Sequence, residues 1–220
     1  MPDAVIFDLD GVLADSEQLW NEAKREVVDE TGGHWRDDAP HAMMGMSSGE
    51  WSAYMHDTLG VPLDPPDINR QVVARMEALY RQQLPVLPGA LEAVRAVAKR
   101  WPVGLASSSN REIIDLFLDE SGLRDCFTAA VSSEQVLRGK PAPDVYLETA
   151  RRLEVDPHAC VAVEDSSNGL RSAHAAGMRV IAVPNQHYPP EDDAVALAAA
   201  VVESVGEVTP QLVSEVTSSA

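Results

Sequence analysis

The feature that most constrains the fold of this chain is a regular alternation of short apolar runs with longer segments of helical periodicity. Five short runs predict strands, at residues 4–7, 103–106, 127–131, 160–163 and 180–183. Four segments between them place apolar side chains three or four residues apart and predict helices, at residues 89–100, 110–120, 144–153 and 167–176. The strand runs are continuously apolar, as is typical of strands that helices cover on both faces. The sequence therefore predicts an α/β fold with a parallel sheet, whose ligands bind at the carboxyl ends of the strands.

One long segment interrupts this alternation. Between the first and second strands three helical patterns follow one another, at residues 16–31, 48–59 and 67–83, with no strand-like run among them. We expect two parts, a discontinuous core of residues 1–14 and 86–220 and an all-helical module of residues 15–85. Because the chain crosses between these parts twice at one place, we expect a hinge that lets the module open and close over the ligand edge of the sheet, with a rigid decoration as the alternative.

The end of the chain loses the periodicity of the earlier segments. Three prolines follow the last predicted strand, and residues 194–202 are then rich in Ala and Val. This composition predicts a final helix over that stretch, followed by a weakly ordered tail.

Charge and composition exclude several classes of function. The chain has 17 Lys and Arg against 35 Asp and Glu, a formal net charge of −18, which repels nucleic acid and anionic lipid. No apolar run reaches the roughly 18 residues of a spanning helix, and the start, Met1-Pro2-Asp3, lacks the basic segment of a secretion signal. We expect a cytoplasmic monomer that binds neither nucleic acid nor membrane. Cys126 and Cys160 lie in unrelated segments, and we interpret both as buried small apolar residues.

Two carboxylates stand where the first strand ends. Asp8 and Asp10 lie two residues apart in the run from Val5 to Gly11. A hairpin turn at Asp10 is the simpler interpretation, but the segment that follows is helical and offers no pairing strand. At the edge of a parallel sheet Asp8 would point into the ligand crevice, with Asp10 just above it. Two such carboxylates repel each other, so either a cation neutralises them or one of them holds a proton.

Further polar residues follow later strands and complement this pair. The hydroxyls of residues 107–109 precede a helix and could bind an anion; Ser109 or Asn110 could instead cap that helix, which makes Ser107 the better ligand. Lys140 lies in a proline-rich loop and, taken alone, could equally be a solvated surface lysine. Glu164 and Asp165 end another strand, where each alone could be a capping carboxylate. Together, carboxylates in this number suit Mg²⁺, and Ser and Lys with no adjacent His suit a phosphate oxygen rather than an acyl group.

In these four motifs, and in the order in which they occur, the chain resembles the haloacid dehalogenase superfamily of phosphohydrolases. The helical insertion after the first motif matches the cap of the branch that includes β-phosphoglucomutase and small sugar phosphatases, so the resemblance covers nearly the whole chain. It implies a Rossmann-like parallel sheet core with an inserted all-helical cap. It also implies site residues: Asp8 as nucleophile; Asp10 as general acid/base; Ser107, Ser108 and Lys140 for phosphate; and Asp8, the Asp10 carbonyl, Glu164 and Asp165 for Mg²⁺.

The function that this resemblance implies is Mg²⁺-dependent hydrolysis of a small phosphomonoester, a sugar phosphate, through an aspartyl-phosphate. A β-phosphoglucomutase-type mutase is the first alternative. Mutases of the branch carry an arginine shortly after the position of Gly45 and a histidine early in the first cap helix, where this chain has Ser48 and Trp20. Both departures count against mutase chemistry, because Ser cannot grip a phosphate bidentately as Arg does. The segment from Asp15 to Trp20 is instead similar to hexose-phosphate phosphatases.

A phospho-acceptor signalling domain is the second alternative, since it too combines acidic residues, a hydroxyl and a lysine on a parallel sheet. Such a domain holds its phosphate, whereas the inserted module and Asp10 favour hydrolysis. The module also carries a cluster of aromatic and methionine side chains: Trp20, Trp51, Tyr54, Met43, Met44 and Met46. At helical spacing such residues pack in a core more often than they contact substrate, so we expect packing, with contact to a sugar ring as the alternative.

Overall fold

A computed structural model describes residues 1–44, 46–186 and 188–218 of the chain. In this part of the chain a six-stranded parallel sheet has the order β3-β2-β1-β4-β5-β6. Its strands are β1 (Ala4–Phe7), β2 (Val103–Ser107), β3 (Ala129–Ser132), β4 (Cys160–Glu164), β5 (Arg179–Ala182) and β6 (Ala200–Val201). The chain builds outward from β1 first to one side and then to the other. The crevice at the carboxyl end of β1 is therefore the place where ligands bind in such sheets.

Ten α-helices occupy the described residues. They are α1 (Glu17–Thr31), α2 (Ala39–Met43), α3 (Ser48–Asp57), α4 (Pro65–Gln82), α5 (Ala90–Ala98), α6 (Arg111–Glu120), α7 (Asp144–Leu153), α8 (Ser167–Ala175), α9 (Asp192–Val195) and α10 (Pro210–Ser218). Five of them, α1 to α5, lie between β1 and β2 in the chain. Among these described helices, none has the length and apolarity that a bilayer crossing requires. The α/β fold class predicted from the sequence is confirmed.

The sheet is buried on both faces, as its continuously apolar strands require. Successive residues of β1 alternate between two hydrophobic clusters: Val5 and Phe7 belong to one, and Ala4 and Ile6 to the other. The first cluster extends without interruption into the buried faces of α1, α3 and α4. Full burial of a Val, Ile or Phe side chain stabilises a fold by about 1.5–3 kcal/mol. The strands thus form a rigid base for the side chains at their carboxyl ends.

Two connecting segments lie side by side where the chain leaves the sheet and returns to it. Ala14 forms bridges with Asp10 and with Val86, and the amide of Leu87 donates to the carbonyl of Leu13 at 3.0 Å. The crossings expected from the sequence therefore meet at one place. The division into a core and a module at residues 15 and 85 stays a prediction.

The end of the chain differs from the sequence prediction. The helix expected over residues 194–202 is wrong: α9 ends at Val195, and Ala200 pairs with Ile181 of β5 to add the sixth strand. Alanine favours a helix in isolation, but the exposed edge of β5 offers backbone partners that this local preference does not anticipate. The tail is ordered as α10, which buries Val213 and Val216 against the core.

Candidate active site

The carboxylates of Asp8, Glu164 and Asp165 converge at the edge of the sheet. Asp8 directly follows β1, and its amide donates to the carbonyl of Val163 in β4 at 3.0 Å. One carboxylate oxygen from each of the three acids lies within 4.8 Å of the others, and all three side chains are buried. Strand pairing between β1 and β4 thus places the acids of the first and last motifs in one cluster.

Lys140 lies inside this acidic cluster. Its Nζ is 3.0 Å from Oδ1 of Asp8 and 2.5 Å from Oε1 of Glu164, and its side chain is only 2% exposed. Burial alone would lower the pKa of Lys140, but the charges of Asp8 and Glu164 outweigh burial and raise it. Tyr146 Oη also donates to Glu164, at 2.7 Å. Lys140 is therefore a buried, charged residue that bridges two acids, and the interpretation as a solvated surface lysine is wrong.

One lysine does not neutralise three buried carboxylates. Burial and then the charge of Glu164 raise the pKa of Asp8, and the same two causes raise that of Asp165. Oδ1 of Asp8 is buried and accepts no hydrogen bond within the described chain, although Lys140 is close to it. A carboxylate oxygen that has only the Lys140 ion pair, beside two further acids, belongs to the kind of donor set that a hard divalent cation prefers. The residues present therefore fit Mg²⁺.

Gly11 lets the main chain approach this cluster. Its φ is +76°, and a Cβ atom at this position would lie 1.8 Å from Oδ2 of Asp165. Asn185, which the sequence analysis did not single out, donates to the same oxygen at 3.0 Å. A side chain at position 11 would occupy the place of the Asp165 carboxylate, so glycine keeps the backbone beside Asp10 within reach of an ion held there.

In the described part of the chain four side chains donate hydrogen bonds to Asp10, two to each of its carboxylate oxygens. Ser16 Oγ (2.5 Å) and Trp20 Nε1 (3.1 Å) donate to its Oδ1, whereas Ser109 Oγ (2.6 Å) and Ser107 Oγ (3.3 Å) donate to its Oδ2. Ser16 precedes α1 as predicted but makes no capping bond with its side chain. Both the helical module and the loop after β2 therefore orient the Asp10 carboxylate.

The hydroxyls after β2 have different surroundings. Ser107, expected to be the better phosphate ligand, is fully buried, and its Oγ also accepts the amide of Ser109 at 2.9 Å. Ser108 and Ser109 line the cavity above the acids. Oγ of Ser108 is buried and has no hydrogen-bond partner in the residues that the structure describes. Ser108 is thus the free hydroxyl of this loop.

Asn110 connects the core to the helical module. It stands at the N-cap position of α6 but makes no capping bond; its Nδ2 donates to Asn69 of α4 at 3.1 Å and to Glu134 at 2.8 Å. Glu134 also accepts from Ser48 Oγ of α3 at 2.9 Å and from the amide of Arg111. We call Ser48, Asn69, Asn110 and Glu134 the polar bridge.

The cavity is bounded on one side by the acids and on the other by the helical module. The module side includes Trp20 and Trp51, whose ring centroids are 6.2 Å apart, and the three methionines Met43, Met44 and Met46. The two tryptophans and Met43 also belong to the hydrophobic core. These three side chains therefore both pack in the core and line the cavity. Gly45, which separates the last two methionines, lies outside the described residues.

Replacement of Gly169 by alanine is expected to impair the site. A Cβ atom on this α8 residue would lie 1.9 Å from Oε2 of Glu164, so the carboxylate must move and its hydrogen bond with Lys140 is disturbed. We expect the catalytic efficiency (kcat/KM) to fall roughly 10-fold or more, which is the effect of losing a buried charged hydrogen bond. We also expect half-maximal activity to need a higher Mg²⁺ concentration. Gly49→Ala is the matched control, since its added Cβ meets nothing within 4 Å. Equal activity of the two variants would contradict the prediction.

Lys24 on α1 is a buried lysine that the sequence analysis missed. Burial lowers its pKa to about 8 from 10.5, against the opposing charges of Glu17 and Asp10. The folded chain therefore binds fewer protons than the unfolded chain between those values, and stability rises with pH across that window. We expect Lys24→Met to raise the free energy of unfolding at pH 7 by up to about 3 kcal/mol, and the melting temperature with it. This gain should shrink as the pH rises towards 10. A gain independent of pH would contradict this expectation.

Comparison with known proteins identifies the family. Residues 5–183 match the family model described as haloacid dehalogenase-like hydrolase. Hexitol phosphatase B of Escherichia coli (strain K12) is 37% identical over 198 residues, covering 82% of this chain and 83% of that protein. The phosphorylated carbohydrates phosphatase of Thermotoga maritima is 34% identical over 181 residues, covering 81% and 83%.

Solved structures agree with this assignment. CbbY from Rhodobacter sphaeroides in complex with phosphate superposes with a TM-score of 0.88 at 28% identity, covering 97% of this chain and all of that one. The β-phosphoglucomutase of Clostridium difficile has a TM-score of 0.85 over 99% of this chain and 98% of its own, and at 22% identity it supports the fold alone. The family resemblance inferred from the motifs is confirmed. The chain belongs to the haloacid dehalogenase-like hydrolases, in the branch that contains β-phosphoglucomutases and sugar phosphatases.

Proposed function

We propose that this hydrolase is a Mg²⁺-dependent phosphatase that acts on a small phosphomonoester, a sugar phosphate, through an aspartyl-phosphate on Asp8. The observation that carries the proposal is the buried Oδ1 of Asp8, which accepts no hydrogen bond in the described chain and lies between Lys140 and two further acids. A nucleophile needs a free lone pair, and an anionic nucleophile that attacks a phosphate needs the charge between them cancelled.

Asp8 and Asp165 would hold the Mg²⁺ ion, with Glu164 in the same cluster and the Asp10 carbonyl beside Gly11. When bound, the ion supplies positive charge that neutralises the phosphate oxygens. Lys140 adds a second positive charge next to Asp8 Oδ1. Ser108 has a free hydroxyl at the cavity and would donate it to a phosphate oxygen.

Asp10 would carry out the proton transfers. In the first step Asp8 attacks the phosphorus, the bond to the leaving oxygen breaks, and Asp10 gives that oxygen a proton. In the second step Asp10 takes a proton from the water that attacks the aspartyl-phosphate, which releases phosphate and restores Asp8. Acid–base assistance of this kind contributes about 10²–10⁴-fold. The four donors position the ionised Asp10 carboxylate near the crevice, ready to take up the proton of the attacking water.

Residues 15–85 would act as a cap that covers the crevice. Trp20 and Trp51 line the cavity from this side, where exclusion of water strengthens the charge interactions around the phosphate. Ser48, at the position that differs from mutases, donates its hydroxyl to Glu134 of the polar bridge. That hydroxyl is engaged with the core and is no substitute for a bidentate arginine, so hydrolysis is favoured over mutase chemistry.

A phosphate-release screen tests the proposal. Purified protein is incubated with sugar phosphates, hexitol phosphates, phosphoglycolate and nucleotides, with Mg²⁺ or with a chelator. We expect continuous phosphate release in excess substrate, dependent on Mg²⁺ and fastest with a sugar or hexitol phosphate. β-Glucose 1-phosphate is followed separately: conversion to the 6-phosphate faster than release of phosphate would overturn the phosphatase in favour of a mutase. A single stoichiometric phosphorylation without turnover would indicate a signalling domain.

A further inference from the structure

One stripe of α1 faces the cavity opposite the acids. Glu17, Trp20, Asn21 and Lys24 follow one another at helical spacing, and all four line the cavity. Trp20 and Asn21 already have partners, since Trp20 donates to Asp10 and Asn21 donates to Tyr188 Oη at 3.2 Å. The two ends of the stripe, Glu17 and Lys24, are different.

Lys24 presents a buried ammonium group without a hydrogen-bond acceptor. The residue is 7% exposed, and its Nζ lies 5.5 Å from the ring centroid of Trp20 and 5.2 Å from that of Trp51. Within residues 1–44, 46–186 and 188–218 this ammonium makes neither a hydrogen bond nor an ion pair. Two indole faces stabilise a cation but leave its three N–H donors unused. Those donors are therefore available to a ligand in the cavity.

Glu17 offers the complementary group. Its half-buried carboxylate accepts no hydrogen bond from the described residues, and burial raises its pKa, with the charge of Lys24 acting in the opposite direction. A donor and an acceptor, both free, thus flank an aromatic surface on one helix. A pocket of this composition matches a chain of hydroxyl groups, each of which both donates and accepts, on a carbon backbone that packs against indole.

The charges around the cavity disfavour a second anionic group at this end. Four acids and two lysines line it, and Lys140 is already bridged to Asp8 and Glu164. Of the two lysines that line the cavity in the described part of the chain, Lys24 is then the one left for a distal group, and Glu17 and Asp10 offset its charge. A second phosphate or a carboxylate placed here would face those two acids, whereas neutral hydroxyls would face none of this repulsion.

We propose that Lys24 and Glu17 form the specificity site of the enzyme, which recognises the neutral polyhydroxyl end of a monophosphate and discriminates against substrates with a second anionic group. The proposal rests on the proposed phosphatase function, since it concerns the end of the substrate remote from Asp8. Lys24 donates to one hydroxyl and Glu17 accepts from another. Trp20 and Trp51 pack against the carbon chain between them.

The test compares two esters that differ at this end. Sorbitol 6-phosphate carries the hydroxyl chain, and p-nitrophenyl phosphate carries none. In Lys24→Met, which keeps the length of the side chain, we expect kcat/KM for sorbitol 6-phosphate to fall roughly 10- to 100-fold, mainly through KM, because a charged hydrogen bond is lost. The change with p-nitrophenyl phosphate should be much smaller. Lys24→Arg should restore part of the loss, and Lys99→Met, an exposed lysine on the core, is the matched control.

Three results would overturn the proposal. The first is an equal fall in kcat/KM with both esters, and the second is no fall with either. The third is a preference of the parent enzyme for fructose 1,6-bisphosphate that Lys24→Met abolishes, because the lysine would then bind an anionic group. If the parent enzyme hydrolyses neither ester with Mg²⁺, the proposed function fails instead. Calorimetric binding of sorbitol 6-phosphate to Asp8→Asn, with and without Lys24→Met, then decides the recognition role: weaker binding by the double variant supports it, and equal binding refutes it.

Discussion

Asp8→Asn is expected to abolish phosphate release while the fold persists. An amide of the same shape has no anionic oxygen to attack phosphorus, so turnover should fall by roughly 10⁴-fold or more, the scale seen when a catalytic nucleophile is lost. Burial and the charge of Glu164 raise the pKa of Asp8 and so disfavour its charged form. Removing that charge should therefore leave the melting temperature in chelator unchanged or higher, whereas the increase that Mg²⁺ gives the parent should shrink.

Activity and melting curves of the purified variant, each with Mg²⁺ and with chelator, check both parts of this expectation. Asp3→Asn, an exposed carboxylate just before β1, is the matched control and should behave like the parent. Mg²⁺-dependent turnover by Asp8→Asn at a tenth of the parent rate would show that Asp8 is not the nucleophile.

Lys140→Met is the second change with a large expected effect, and it should reduce both stability and activity. Methionine fills the same space but leaves Asp8 and Glu164 buried without a counter-charge. Breaking a buried ion pair in this way costs about 3–5 kcal/mol, so the melting temperature in chelator should drop by several degrees or more. Activity should fall at least 10²-fold, because a charge next to the transferred phosphate is lost.

The change of folding stability with pH provides a second test of this prediction. The pKa values of Asp8 and Asp165 are raised in the folded chain, so the folded state binds more protons and loses stability as pH rises above the ordinary carboxylate range. Without Lys140 this loss should steepen, and Lys140→Met should regain melting temperature as the pH is lowered from 8 to 5. A pH-independent deficit, or one shared by Lys99→Met, would contradict the electrostatic explanation.

The sequence predicts the sheet well because the physics of a buried parallel strand is local. Continuous apolar runs mark β1, β2, β4 and β5 to within one residue at each end, and the acids at the carboxyl ends of β1 and β4 must then share an edge. The edge strand β6 is different. Its two residues become a strand only because β5 leaves backbone groups unpaired, and no pattern in residues 194–202 records that.

The parts of the site that the sequence missed depend on how α1 faces the crevice. Periodicity predicts a helix at residues 16–31, but it does not show that Trp20 reaches Asp10 or that Lys24 lies close to two indole rings. A lysine near the apolar face of an amphipathic helix is ordinarily a solvated neighbour of that face. Asn185, likewise, reaches Asp165 from a loop whose path only the tertiary fold defines.

The polar bridge has a consequence for how substrate enters and product leaves. Its hydrogen bonds join α3 and α4 to Asn110 and Glu134, and every one of these groups can exchange its partner for water. Each such exchange costs only about 0.5–1.5 kcal/mol, less than separating apolar surfaces of similar extent. The larger cost of opening lies in the apolar cluster that continues from the sheet into α1, α3 and α4. Any separation of these helices from the core would therefore begin at the polar bridge, where water can replace each lost partner.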